Sequence, residues 1–202
     1  MIEGAAGWSA FDEGFLNAYQ WAQALAGGAA LPQEAASVQL GPGEVAHVRI
    51  APVGIAGFFG EDKQYRSSFF LIGGPVGLAV TGAASLAYNA SKKADAQRAA
   101  VPRWHQLGTA EVAVTNQRLV ATGNGRTESL WYAEIGPVQL TPGRGGAPGV
   151  QFQPADRPML RLEAPGAPLL YVFVHYLVDG QAPGVPMPAG LLERARQQGR
   201  IR

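Results

Sequence analysis

The chain has no cysteine. That excludes disulfide scaffolds, thiolate nucleophiles and Cys-ligated zinc together. It is also poor in charge: Asp, Glu, Lys and Arg make up 15% of its 202 residues, against about 25% in an average protein. With a formal net charge of +1, no global field points to a nucleic acid or an acidic substrate. The three histidines, His47, His105 and His175, have no partner at metal-ligand spacing, and no HExxH pattern occurs. A Gly-x-Ser-x-Gly elbow is missing, and the Gly-rich TPGRGGAPG lacks the Lys-Ser/Thr of a phosphate loop. Carboxylates are scattered singly, so no acid/base pair suggests itself. No catalytic, cofactor-binding or metal-ligating residue is assigned, and the reading is of a non-enzymatic protein that needs no cofactor. The N-terminus, MIEGAAGWSAFDEG, has acids where an export signal has bases, so the expected location is the cytoplasm.

Two tight turns organise the second half. Thr109 to Ile135 reads as three antiparallel strands. The first turn is Thr115-Asn116-Gln117, ending in Arg118-Leu119, and the second is Asn124-Gly125, a strong hairpin signal. Thr and Asn side chains bond nearby backbone and suit turns, so this is turn chemistry that sets strand register. Trp131 and Tyr132 read as cross-strand packing residues rather than a base-stacking platform.

Around this block other elements are expected. Residues 8–26 read as a helix with a Ser9/Asp12 capping box and a Gly27-Gly28 stop. Trp8, Phe11, Phe15, Tyr19, Ala22 and Leu25 recur at helical spacing and are the expected core face. Asp12, Glu13, Asn17, Gln20 and Gln23 form a polar face that does not suit an anionic bilayer. The helix either docks its stripe on the domain or serves as an arm for a partner. Residues 29–42 read as a connector and Glu44 to Ile50 as a first strand, with Val45 inward and Ala46 outward. Gly54 to Gly60 looks broken by glycines. Val150–Gln153 and Met159–Glu163 form another hairpin. Ala167 to Val178 reads as a buried closing helix, although a strand has the same composition. Residues 181–190 are Pro/Gly-rich, and Leu191 to Arg202 is a basic tail or terminal helix.

No residue from Ser67 to Ser91 is charged. Phe69 to Tyr88 has the length of a bilayer-spanning helix, and Lys92, Lys93 and Arg98 follow it, as positive-inside orientation would require. Against a span, Gly73-Gly74-Pro75 splits the segment and most of its apolar content is Ala. Both a packed or self-associating Ala/Gly helix and a single span stay open.

The run Val112-Ala113-Val114-Thr115-Asn116-Gln117-Arg118-Leu119-Val120, followed by Glu128–Ile135 and one late apolar helix, resembles pleckstrin-homology-like and GRAM-like domains, including the bacterial versions. The resemblance covers roughly residues 43–180, interrupted by a helix at 69–101 that is not standard there. It implies an α+β fold: a PH-like antiparallel β-barrel or sandwich capped by a C-terminal helix, here with an inserted Ala/Gly-rich helix and an N-terminal amphipathic helix. The expected organisation is an N-terminal arm at 1–30, a PH-like domain at 43–180 and a linker with basic tail at 181–202. The function expected is a non-enzymatic binding module for protein–protein or peripheral membrane contact, with a protein partner or self-association and no nucleic-acid binding. Lys92, Lys93, Arg98 and Arg103 are the candidate contacts to anionic lipid, where each basic residue is worth about 1 kcal/mol. The alternatives are a single-span membrane protein with a cytoplasmic β-domain and a docking subunit of a larger assembly.

Overall fold

The computed structural model describes residues 7–60, 100–155 and 157–201. Seven strands lie among them: β1 (Ala46–Phe59), β2 (Arg103–Thr115), β3 (Arg118–Gly123), β4 (Arg126–Trp131), β5 (Gln139–Pro142), β6 (Pro148–Phe152) and β7 (Met159–Glu163). They form one antiparallel sheet in the order β4-β3-β2-β1-β7-β6-β5. The long central strand β1 belongs to both halves. It pairs with β2 along its length, and its second half, Gly54 to Phe58, also pairs with β7. A register shift between Ile50 and Val53 marks where the strand turns from one half to the other.

The loop after β4 narrows the gap left by the two sheet edges. Ile135 bridges Pro154, and the N–H of Gly136 donates to the carbonyl of Gln153 at 3.0 Å. Val53, Ile55, Val112, Val114, Phe152 and Leu162 fill the interior. Helix α2 (Ala167–Asp179) closes it with Leu170, Phe173 and Val174, with Pro168 in its first turn and Gly180 as its cap. Each such side chain contributes about 1.5–3 kcal/mol by leaving water. Strand order, shared central strand and closing helix together make an α+β fold: one seven-stranded antiparallel sheet closed by a helix.

Three expectations change. Gly54 to Gly60 does not break the first strand: β1 runs to Phe59, held by ladder bonds on both edges between Gly54 and Phe58. Ala46 is buried (4% exposed): Thr115 pairs with it on one edge, and on the other the connector lies alongside, where the Glu34 N–H donates to the Ala46 carbonyl at 2.9 Å. The third change concerns the membrane. Phe59 and Arg103 are register partners in the β1–β2 ladder. A single crossing between them would leave them on opposite sides of a bilayer, so the single-span alternative is excluded. No helix among the described residues is long and apolar enough to cross a membrane; residues 69–88 lie outside them.

Helix α1 (Ala10–Ala26) carries the expected capping box: the Asp12 N–H donates to Ser9 Oγ at 3.1 Å, and the Ser9 N–H to Asp12 Oδ2 at 3.0 Å. Ala22 and Leu25 of the expected core face are buried, but its aromatic members are not: Gly14, Leu16 and Ala18 are buried instead, and Trp21 meets Phe173 edge-on at 5.3 Å between ring centroids. The reason is closeness. A Cβ at Gly14 would lie 1.8 Å from the Pro165 carbonyl oxygen, a separation that only glycine permits. Small residues let the two helices approach, and the bulky Phe11, Phe15 and Tyr19 are displaced to the flank, where Phe11 remains 43% exposed.

Candidate binding site

The Thr115–Leu119 turn binds the connector, not a ligand. Thr115 Oγ1 accepts the N–H groups of Gln117 and Arg118 at 3.1 and 3.0 Å and donates to Glu44 Oε1 at 2.7 Å. Asn116 acts as a second backbone partner for the connector: its Oδ1 accepts the Val45 N–H at 2.9 Å and its Nδ2 donates to the Gly43 carbonyl at 3.1 Å. Arg118 donates from Nε and Nη2 to the two oxygens of Glu44, from Nη1 to Ser129 Oγ, and from Nη2 to the Gln39 carbonyl. Trp131 lies beneath the guanidinium, 4.9 Å from ring centroid to Cζ. Glu44 is wholly buried, and Arg118 holds its carboxyl down at about 2, helped by the N–H of Gly41 and the hydroxyl of Thr115. Tyr132 donates its hydroxyl to the Thr115 carbonyl at 2.7 Å, and burial pushes that phenol well above its ordinary range. The side-chain polar groups of Thr115, Asn116 and Arg118 are thus used within the fold.

Among the described residues, the void between Ile55, Val112, Leu119, Phe152 and Leu160 has about 20 Å³, room for roughly one water. A groove of about 390 Å³ lies between Phe15, β5 and Pro186–Pro188, and its lining carries no charged side chain.

Strand polarity brings one end of the barrel together. There β1 ends, β2 begins, β3 and β4 turn at Asn124-Gly125, and β6 leads into β7. Phe58 faces Trp104 with ring centroids 5.3 Å apart, and Phe58 is 36% exposed. Phe59 stacks on His105 at 4.3 Å, and a ring nitrogen of His105, Nε2, lies 3.0 Å from the Phe59 carbonyl. Val101, at 59% exposure, lies two positions before the start of β2. Arg103 is exposed at the first position of β2, opposite Phe59. Arg126 is exposed beside the turn, and Arg157 bridges Glu128 at 3.7 Å across the gap. Behind the aromatic pair, Arg161 lies 4.0 Å over the Trp104 ring and pairs with Glu163 at 2.7 Å. This end thus presents both apolar side chains and arginine.

Of the four residues assigned to anionic lipid, Arg103 sits at this end; Lys92, Lys93 and Arg98 lie outside the described residues. Sequence reasoning did not single out Phe58 and Val101, the exposed apolar residues on either side of residues 61–99.

The histidines have separate uses. His47 is buried with Nδ1 at 2.7 Å from the Pro32 carbonyl, and His175 has Nδ1 at 3.1 Å from Asp179 Oδ2. Among the described residues no group of His, Asp and Glu converges to hold a metal ion. Trp131 is 41% exposed and covered only in part by Arg118.

The acidic face of α1 meets the last helix, α3 (Leu191–Gln197). Arg194 reaches Asp12 at 2.7 Å and Arg200 reaches Glu13 at 2.6 Å. Both guanidiniums also lie over the Trp8 ring, at 4.9 and 4.5 Å, and the Trp8 indole N–H donates to Gln198 Oε1. Leu191 and Ala195 are buried beneath.

No protein-family pattern matches the chain, and no curated protein matches it. Among solved structures it is similar to the Vps36 N-terminal PH domain, with a TM-score of 0.42 and 12% sequence identity, over 74% of this chain and 92% of that one.

Proposed function

We propose that this chain is a non-enzymatic binding module of the cytoplasm that makes peripheral contact with an anionic membrane through the β1–β2 end of its barrel. The observation that carries the reading is that exposed Phe58, Val101 and Arg103 share that end, Phe58 beside Trp104 on one face of the β1–β2 ladder and Arg103 opposite Phe59 on the other. Apolar side chains enter the interfacial layer while arginine meets headgroups, the two contributions that peripheral anchoring combines. Lys92, Lys93 and Arg98 add charge from the connection between the strands. The Thr115–Leu119 turn favours a GRAM-like affiliation of the bacterial type.

Sedimentation with phosphatidylcholine vesicles containing phosphatidylglycerol tests this. Binding is expected only with the anionic lipid. Arg103→Glu is expected to weaken it at least about fivefold, the worth of one basic residue near such a surface, and Phe58→Ala to weaken it by removing apolar area from the interface. Equal recovery on neutral vesicles, or indifference to both substitutions, would refute it.

A protein partner is the second reading. The exposed Trp131 on edge strand β4 favours it, since aromatic residues anchor protein interfaces.

A further inference from the structure

Two features of opposite sign stand out along the chain, the acidic face of α1 and the arginines after residue 190, and the fold brings them together. Asp12 and Glu13 take Arg194 and Arg200 at 2.7 and 2.6 Å, and Gln20 donates to the Arg200 carbonyl at 3.2 Å. The Trp8 ring lies against both guanidiniums. Most of the contact is therefore ionic and cation–π, with Leu191 and Ala195 as its buried part. The pairing is also incomplete: Arg194 Nε is buried without an acceptor. An arginine with an unused donor has more to gain from a phosphate, which accepts at several oxygens at once. Residues 191–201 set Leu191, Leu192, Ala195 and Ile201 among Arg194, Arg196 and Arg200, the composition of a basic amphipathic segment suited to a lipid surface.

We propose that the contact between α1 and the C-terminal segment is a charge-operated latch, in which Asp12 and Glu13 occupy Arg194 and Arg200 until an anionic lipid surface displaces them. The proposal rests on the membrane reading above and adds its regulation. Phospholipid headgroups and the two carboxylates compete for the same guanidiniums. By linkage, whatever weakens the latch strengthens lipid binding by the same factor. Release hands Arg194 and Arg200 to the membrane and frees the Trp8 ring from its two cations.

The test uses the full chain with phosphatidylcholine vesicles containing phosphatidylglycerol, and Asp12→Asn/Glu13→Gln against the wild type. The latch predicts an affinity gain of about fivefold or more. It also predicts that the gain disappears when Arg194→Gln and Arg200→Gln are added, and that Phe58→Ala/Arg103→Glu lowers the baseline but leaves the gain. In the wild type, the Trp8 indole N–H resonance, assigned by its loss in Trp8→Phe, should move on adding anionic bicelles towards its position in Arg194→Gln/Arg200→Gln. A gain that persists without the two arginines is general charge repulsion and overturns the latch. So does a Trp8 resonance that stays fixed while the wild type binds through Arg103, which leaves the membrane reading standing. Failure of every variant to bind anionic vesicles removes both.

Discussion

Arg118 and Glu44 are 74 positions apart and meet in a two-pronged ion pair, Nε to Oε1 at 2.8 Å and Nη2 to Oε2 at 2.9 Å. The Glu44 carboxylate accepts two further bonds, from the Gly41 N–H and the Thr115 hydroxyl, each at 2.7 Å. One side chain thereby joins the connector, the β2–β3 turn and, through Ser129, strand β4. Removing one partner of such a pair leaves a buried charge unmatched, which is far costlier than never burying the pair.

Acid should loosen this joint. Glu44 has its carboxyl depressed from 4.5 to about 2 in the folded chain. A depressed carboxyl contributes stability that is complete above its unfolded value and lost as pH falls through the folded one. Urea unfolding is therefore expected to show about 3 kcal/mol of Glu44-dependent stability at neutral pH, lost between about pH 4.5 and 2. Glu44→Gln should lower the neutral plateau by a similar amount and remove that part of the pH dependence. An unchanged profile in the variant would contradict the assignment.

Gly14→Ala should unseat α1. The added Cβ would fall 1.8 Å from the Pro165 carbonyl oxygen, part of the backbone and unable to rotate aside. A loss of about 1–3 kcal/mol is expected, with faster amide exchange along Ala10–Ala26 than along β1. Wild-type exchange in α1 would show that the helix can be held without that close approach.

Gly125→Ala separates register from recognition. Asn124 and Gly125 both have positive φ, 48° and 73°, as a two-residue hairpin turn requires. The substitution should cost about 1 kcal/mol in thermal or urea unfolding while leaving vesicle affinity within twofold. A large loss of binding at full stability would make the turn part of the site.

Local chemistry was legible in the sequence where one short stretch decides the structure. The Ser9/Asp12 cap, the Asn124-Gly125 turn and the closing helix after Ala167 all depend on neighbours within a few residues. Pairing across the chain was not. Glu44 carries no mark of Arg118, and the burial of Ala46 follows from Thr115 on one edge and the connector alongside on the other. For α1 the aromatic stripe was the louder signal; its Ala22 and Leu25 are buried, but Gly14, Leu16 and Ala18 take the place of Phe11, Phe15 and Tyr19, because the Pro165 backbone leaves no room for a side chain at Gly14. The acidic face and the arginine-rich end were each visible, and their opposite charges were the available hint that they meet. At the end where β1 stops and β2 starts, Arg103 was singled out from charge, whereas the exposure of Phe58 and Val101 at that same end needed the fold.

The most direct measurement of the membrane account is relaxation enhancement from a spin-labelled lipid in phosphatidylglycerol bicelles, read on the backbone amides of the whole protein. The account predicts the strongest broadening at Phe58, Phe59 and Val101–His105, and little at β5 or the connector beside β1. Broadening centred on β5, or none at any concentration that saturates vesicle binding, would contradict it.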